Sequence, residues 1–95
     1  MVNLRIVCGT ANRALASRVS SALGAGPVAG EVERFPDGEL RPVVGGVRGD
    51  DFFVVQSTGP PVNDHLVELL LLIDACRRAG AGRVTAVVPY FGYAR

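Results

Sequence analysis

The sequence contains no tryptophan, one histidine, one methionine and two cysteines. A single histidine excludes a histidine-rich metal site. Two cysteines are too few for a disulfide framework. Cys8 lies in a strand-like run and Cys76 in a helix-like run, so both read as small buried hydrophobes suited to a reducing cytosol. An excess of one charge is also missing: ten Lys+Arg face nine Asp+Glu, a formal net charge of +1. That balance offers neither the basic footprint of a nucleic-acid binder nor a polybasic membrane patch. Long apolar runs are absent. The longest, Leu69–Ile73, is five residues, against the ~20 needed to cross a bilayer as a helix. Arg5 interrupts the apolar start where a signal peptide needs continuity. The motifs G-x-G-x-x-G and G-x-x-x-x-G-K-[ST] are missing, as are a Ser-His-Asp set, a Cys-His pair and zinc-ligand spacing.

What remains describes an α/β domain. The 95 residues allow one domain or a piece of a larger one. Hydrophobic residues at 48% and charged residues at 20% are ordinary globular values and argue against disorder. Twelve glycines and six prolines imply many turns. Leu4–Cys8 reads as a strand and Gly9–Asn12 as a turn with a cap. Leu15, Val19, Ala22 and Leu23 then fall on one helical face between Arg13 and Leu23. Gly24 stands where the helix C′ residue needs positive φ. Glu31–Phe35 and Leu40–Val44 flank Pro36-Asp37-Gly38-Glu39, a strong turn signal, and predict a hairpin. Pro42 implies that its second strand lies at a sheet edge or begins late.

Phe52–Gln56 is continuously apolar until its glutamine, the pattern of a strand buried on both faces. After Gly59-Pro60-Pro61, Asn63 or Asp64 is expected to cap a helix running to about Arg78, apolar nearly all round from Leu66 to Cys76. Such a helix needs cover on more than one side, which predicts a subunit or domain interface. Arg77 and Arg78 suit its C-terminal dipole. Arg83–Val88 reads as a last buried strand. The order β-α-β-β-β-α-β predicts a mostly parallel sheet flanked by helices, with an antiparallel hairpin element.

Ligands of open α/β sheets bind beyond the carboxyl ends of the strands, which places Gly9–Asn12, Gln56–Asn63 and Pro89–Arg95 as candidates. Gly9–Asn12 reads chiefly as a plain strand-to-helix turn, with phosphate cradling as the sharper alternative. Asp64, His65 and Glu68 read as solvated first-turn residues rather than a metal cluster. Phe35-Pro36-Asp37-Gly38-Glu39 has two readings: an exposed turn with a tucked Phe, or an aromatic platform for a purine with carboxylates accepting from its amine. Tyr90-Phe91-Gly92-Tyr93-Ala94-Arg95 ends in a guanidinium suited to bidentate phosphate recognition.

The stretches Arg34–Glu39 (RFPDGE), Val47-Arg48-Gly49, Val55-Gln56-Ser57-Thr58, Asn63-Asp64 with its Leu-rich helix, and Arg83–Arg95 (RVTAVVPYFGYAR) occur in the order found in one family. The chain closely resembles the N-terminal part of ribose-phosphate pyrophosphokinase. The resemblance implies a phosphoribosyltransferase-like fold in an enzyme that transfers diphosphate from ATP to ribose 5-phosphate with Mg²⁺, and a cytoplasmic homo-oligomer. It implies that Phe35, Asp37 and Glu39 reach the adenine of a neighbouring subunit's ATP, that Arg95 contacts ATP phosphates, and that Arg48 belongs to a regulatory phosphate site. The segment before Val47-Arg48-Gly49 is one residue short and Gly-rich, a departure bearing on that last role. The family's metal-binding histidine, catalytic loop and ribose 5-phosphate loop come after Arg95. The resemblance therefore implies that residues 1–95 are a single ATP-side, oligomer-forming domain, truncated at its C-terminal end. It assigns this chain no catalytic residue and no Mg²⁺ ligand. A non-catalytic regulatory or assembly homologue is the alternative.

Overall fold

The computed structural model describes residues 3–46 and 48–95. Its elements are β1 (Leu4–Cys8), α1 (Arg13–Ala22), β2 (Gly30–Arg34), β3 (Leu40–Val44), β4 (Asp51–Val55), α2 (Val62–Arg78) and β5 (Arg83–Val87). One sheet has the order β3-β2-β1-β4-β5. β2, β1, β4 and β5 run parallel, and only the β2–β3 hairpin is antiparallel. Pro42 lies in β3, an edge strand, where its missing N–H breaks no ladder.

Side-chain alternation divides the core into two layers. Ile6, Cys8 and Val55 meet Ala16 of α1, with Leu15, Val19 and Phe53 around them. Val7, Val32, Phe52 and Val54 meet Leu69, Leu72 and Cys76 of α2 on the other face. β1 and β4 are thus covered on both sides, which explains the unbroken apolar run at Phe52–Val55. β5 is not the buried strand its composition suggested. It is the other sheet edge, with Ala86 and Val87 exposed.

Both helices end in the same way. After α1, the Gly24 N–H donates to Ser21 O and the Ala25 N–H to Ser20 O, with Gly24 at φ 66. After α2, the Gly80 N–H donates to Arg77 O and the Ala81 N–H to Cys76 O, with Gly80 at φ 88. This paired pattern satisfies the last carbonyls and needs a left-handed residue at C′. The helix starts depart from expectation. Pro61, not Asn63 or Asp64, flanks the start of α2, and no side chain caps it. The buried face of α1 centres on Ala16 and Ser20, whereas Leu23 is 59% exposed. Small residues bring α1 close to the sheet, and the Ser20 hydroxyl is satisfied by Gly26 O at 2.5 Å.

Candidate functional site

Because four strands are parallel, the segments after β1, β2, β4 and β5 share one rim. The hairpin loop joins the three segments expected there. In that loop the Phe35 N–H donates to Glu39 O at 2.8 Å and the Gly38 N–H to Phe35 O at 2.9 Å. Asp37 Oδ1 accepts from the Glu39 N–H at 2.9 Å. Gly38, at φ 95, supplies the left-handed residue of the turn. Phe35 is 43% exposed, so the tucked aromatic of the plainer reading is not what the chain adopts. Asp37 and Glu39 stay exposed beside it. Arg34 braces the loop by donating to Gly38 O at 3.3 Å and by pairing with Asp64 at 3.8 Å.

Gly9–Asn12 is bonded from within, although Thr10 itself stays exposed. The Thr10 N–H and hydroxyl donate to the Glu68 carboxylate at 2.8 Å each, to Oε1 and Oε2 respectively. The Ala11 N–H donates to Gln56 Oε1 at 3.2 Å. Gly9 leaves no space for a Cβ, which would lie 2.5 Å from Gln56 Cδ. Asn12 does not cap α1; its Oδ1 accepts from the Ser57 N–H at 2.6 Å. An internal carboxylate and amide already occupy the Thr10 and Ala11 amides, which favours the plain-turn reading.

The same contacts revise the first turns of α2. Glu68 is fully buried rather than solvated. His65 Nδ1 lies 2.8 Å from Gly59 O, and Asp64 points to Arg34. These three side chains diverge, and among the described residues no three His, Cys, Asp or Glu groups converge to hold a metal ion. Sequence reasoning missed Gln56, Thr58 and Glu68 as a buried polar set. The available signals were a lone acid inside the apolar stretch Leu66–Ile73 and the glutamine that ends Phe52–Gln56.

The last segment rests on the β4–α2 loop. The Thr58 N–H donates to Tyr90 O at 2.8 Å, and Thr58 Oγ1 accepts from the Gly92 N–H at 2.7 Å. The Tyr93 hydroxyl donates to Asn63 Oδ1. Val62, Tyr90, Gly92, Tyr93 and Arg95 line an open cleft of about 420 Å³. The Phe35 loop and this cleft follow β2 and β5, three strand spacings apart, or roughly 14 Å. Arg48 lies at the opposite rim, before β4, where it covers Gly80; Gly49 donates to Gly80 O at 2.8 Å. Val47 of the Val47-Arg48-Gly49 motif lies outside the described residues. The fold therefore brings Phe35, Asp37, Glu39 and Arg95 to one rim and leaves Arg48 a strand length away. Burial pushes Cys76 from 9.0 up to about 11, and burial also raises Cys8, partly offset by Arg13.

The family model for the N-terminal domain of ribose phosphate pyrophosphokinase matches residues 4–95. The chain belongs to that family. It is 53% identical over 93 residues to ribose-phosphate pyrophosphokinase 1 of Spinacia oleracea, covering 97% of this chain and 28% of that protein. It is 50% identical over 94 residues to the ribose-phosphate pyrophosphokinase of Clostridium tetani, covering 98% and 29%. Among solved structures it resembles phosphoribosylpyrophosphate synthetase from Mycobacterium smegmatis, with a TM-score of 0.86, 39% identity, and coverage of 98% of this chain and 32% of that one. The chain thus spans under a third of the length of these relatives. The match bears out the expected mostly parallel α/β fold with its hairpin. Among the described residues, no helix is long and apolar enough to cross a membrane.

Proposed function

We propose that this chain is the ATP-side, oligomer-forming domain of a ribose-phosphate diphosphokinase, which moves the β,γ-diphosphoryl group of ATP to the 1-hydroxyl of ribose 5-phosphate. The observation that carries the reading is the match over residues 4–95, in sequence and fold, to one domain of one enzyme family. The exposed Phe35 ring offers adenine a flat apolar face. Asp37 and Glu39 accept from its amino group, and Arg95 holds phosphate oxygens through charge-assisted bonds. Phosphoryl transfer depends largely on positioning and charge stabilisation, and that is the part these residues play. Separation of Phe35 from Arg95 along the rim supports a site shared between subunits. Val67 and Leu70, 45% and 57% exposed on α2, supply apolar surface for assembly.

Ribose 5-phosphate and Mg²⁺ are bound outside this chain in this reading. The described carboxylates do not converge as a metal site requires, so no step is derived through Mg²⁺. Arg48 serves a regulatory phosphate at the opposite rim. The working compartment is cytoplasmic, which suits two buried, unpaired thiols.

A chimera tests the reading. This chain replaces the matching segment of the Mycobacterium smegmatis synthetase, and the product is assayed with ATP, Mg²⁺ and ribose 5-phosphate. Activity that falls on Phe35→Ala or Arg95→Ala through the ATP dependence supports it. A folded, assembled but inactive chimera refutes it.

A further inference from the structure

Arg95 lies beyond the last strand, in a segment with no secondary structure of its own to fix it. The segment is held instead largely through one buried residue. Thr58 is fully buried. Its N–H donates to Tyr90 O, and its Oγ1 accepts from the Gly92 N–H, so a single residue grips the segment at two points two residues apart. Gly92 is buried and fits only as glycine, because a Cβ would strike Thr58 O and lie 2.8 Å from Val62 Cγ1. Directly after it, Tyr93 adopts φ 68, a left-handed conformation rare for a bulky aromatic. Such a conformation persists where its surroundings over-determine it. The Gly92 bond on one side and the Tyr93–Asn63 bond on the other do so here. The turn this makes carries the chain to Arg95 and forms the cleft wall.

We infer that Thr58 is a positioning residue for Arg95, latching Gly92 so that the guanidinium is presented to a bound polyphosphate. This rests on the reading of Arg95 as a phosphate ligand. Thr58 itself is buried beneath the segment and touches no ligand.

The test uses the 95-residue chain and inorganic tripolyphosphate, which isolates the phosphate arm from adenine stacking. Binding is followed by NMR titration of wild type, Thr58→Val, Thr58→Ser and Arg95→Ala, with amide hydrogen exchange read in parallel. Thr58→Val keeps shape and removes the acceptor. It is expected to weaken binding about five- to tenfold, the worth of one hydrogen bond, and to speed exchange at Gly92 while Val54 in the sheet keeps its protection. Thr58→Ser should restore both. Tripolyphosphate binding lost in Arg95→Ala but unchanged in Thr58→Val overturns the latch and leaves the Arg95 reading standing. Weakened binding with Gly92 still protected, or without rescue by serine, also overturns it. Binding that is absent in wild type or indifferent to Arg95→Ala overturns the Arg95 reading and the latch with it.

Discussion

Glu68→Ala should be among the most destabilising single changes in this chain. Glu68 is buried against the β1–α1 turn, where it accepts from the Thr10 N–H and hydroxyl at 2.8–3.0 Å and from Gln56 Nε2 at 3.5 Å. Hydrogen bonds to a charged group are each worth about 1.5–3 kcal/mol, and donors left buried without an acceptor cost about 1–3 kcal/mol. The two short contacts to Thr10 dominate; the Gln56 contact at 3.5 Å adds little. A loss of about 3–5 kcal/mol follows, partly offset because the desolvated carboxylate is removed as well. Total stability for a domain of this size is about 5–15 kcal/mol, so the variant is expected to be marginal. Glu68→Gln keeps an acceptor oxygen for Thr10 and should lose only about 1–2 kcal/mol. Urea unfolding followed by circular dichroism measures both. If Glu68→Ala costs under about 1 kcal/mol with an unchanged m-value, the carboxylate does not hold the turn and the reasoning fails.

Other consequences are checked more simply. The purified chain with ATP, Mg²⁺ and ribose 5-phosphate should give no phosphoribosyl pyrophosphate by product assay, since the proposed reading puts the ribose 5-phosphate site outside it; measurable turnover would sink the proposed division of labour. In the chimera, Phe35→Ala should weaken ATP binding by roughly 1–3 kcal/mol, the range for base stacking on an aromatic, with the ribose 5-phosphate dependence unchanged; an unaltered KM for ATP contradicts the platform. The chain should self-associate through α2, and Leu70→Glu should shift its sedimentation toward monomer; identical profiles place the interface elsewhere. Cys76 is held protonated by burial, its pKa raised from 9.0 to about 11. Its stabilisation is complete below the unfolded value and is lost as pH rises between the two, about 2–3 kcal/mol in all. Thermal melts should therefore show a steeper decline over that window in wild type than in Cys76→Ala.

Elements whose stability comes from local chemistry were legible in the sequence. The hairpin followed from Pro36-Asp37-Gly38, and the edge position of β3 was one of two outcomes that Pro42 allowed. The end of α1 followed from Gly24. Composition read β5 less well, because Val84, Ala86 and Val87 are the same residues whether a strand is flanked on one side or two. Burial there depends on what packs against it. Asn63 and Asp64 were misread as caps for a related reason. Their side chains are claimed by Tyr93 and Arg34, partners 30 residues away in each case. Glu68 was hidden because an acid in the first turns of a helix is commonly solvated, and only the β1–α1 turn, 58 residues distant, gives it buried donors. Long-range pairing decided each of these cases, and periodicity carries no information about it.

The division between buried and exposed polar groups also accounts for how the rim works. Gln56, Thr58 and Glu68 spend their hydrogen bonds on Ala11, Gly92 and Thr10, fixing three loops to one another. None of these groups is left to meet a ligand. Phe35, Asp37, Glu39 and Arg95 are the exposed complement: a rigid frame presents them, and little in the chain covers them. In the proposed reading the exposed Phe35 ring and the exposed Arg95 guanidinium are two weak half-sites, since each would meet its ligand while still facing water. Bringing a second copy's Phe35 loop opposite Arg95 converts the second contact into an intramolecular event, so that the two contributions multiply. On that reading the full affinity for nucleotide needs assembly as well as both side chains. The exposed apolar residues of α2 and the solvent-facing aromatic of the hairpin fit the proposal that such a domain completes its site in an oligomer.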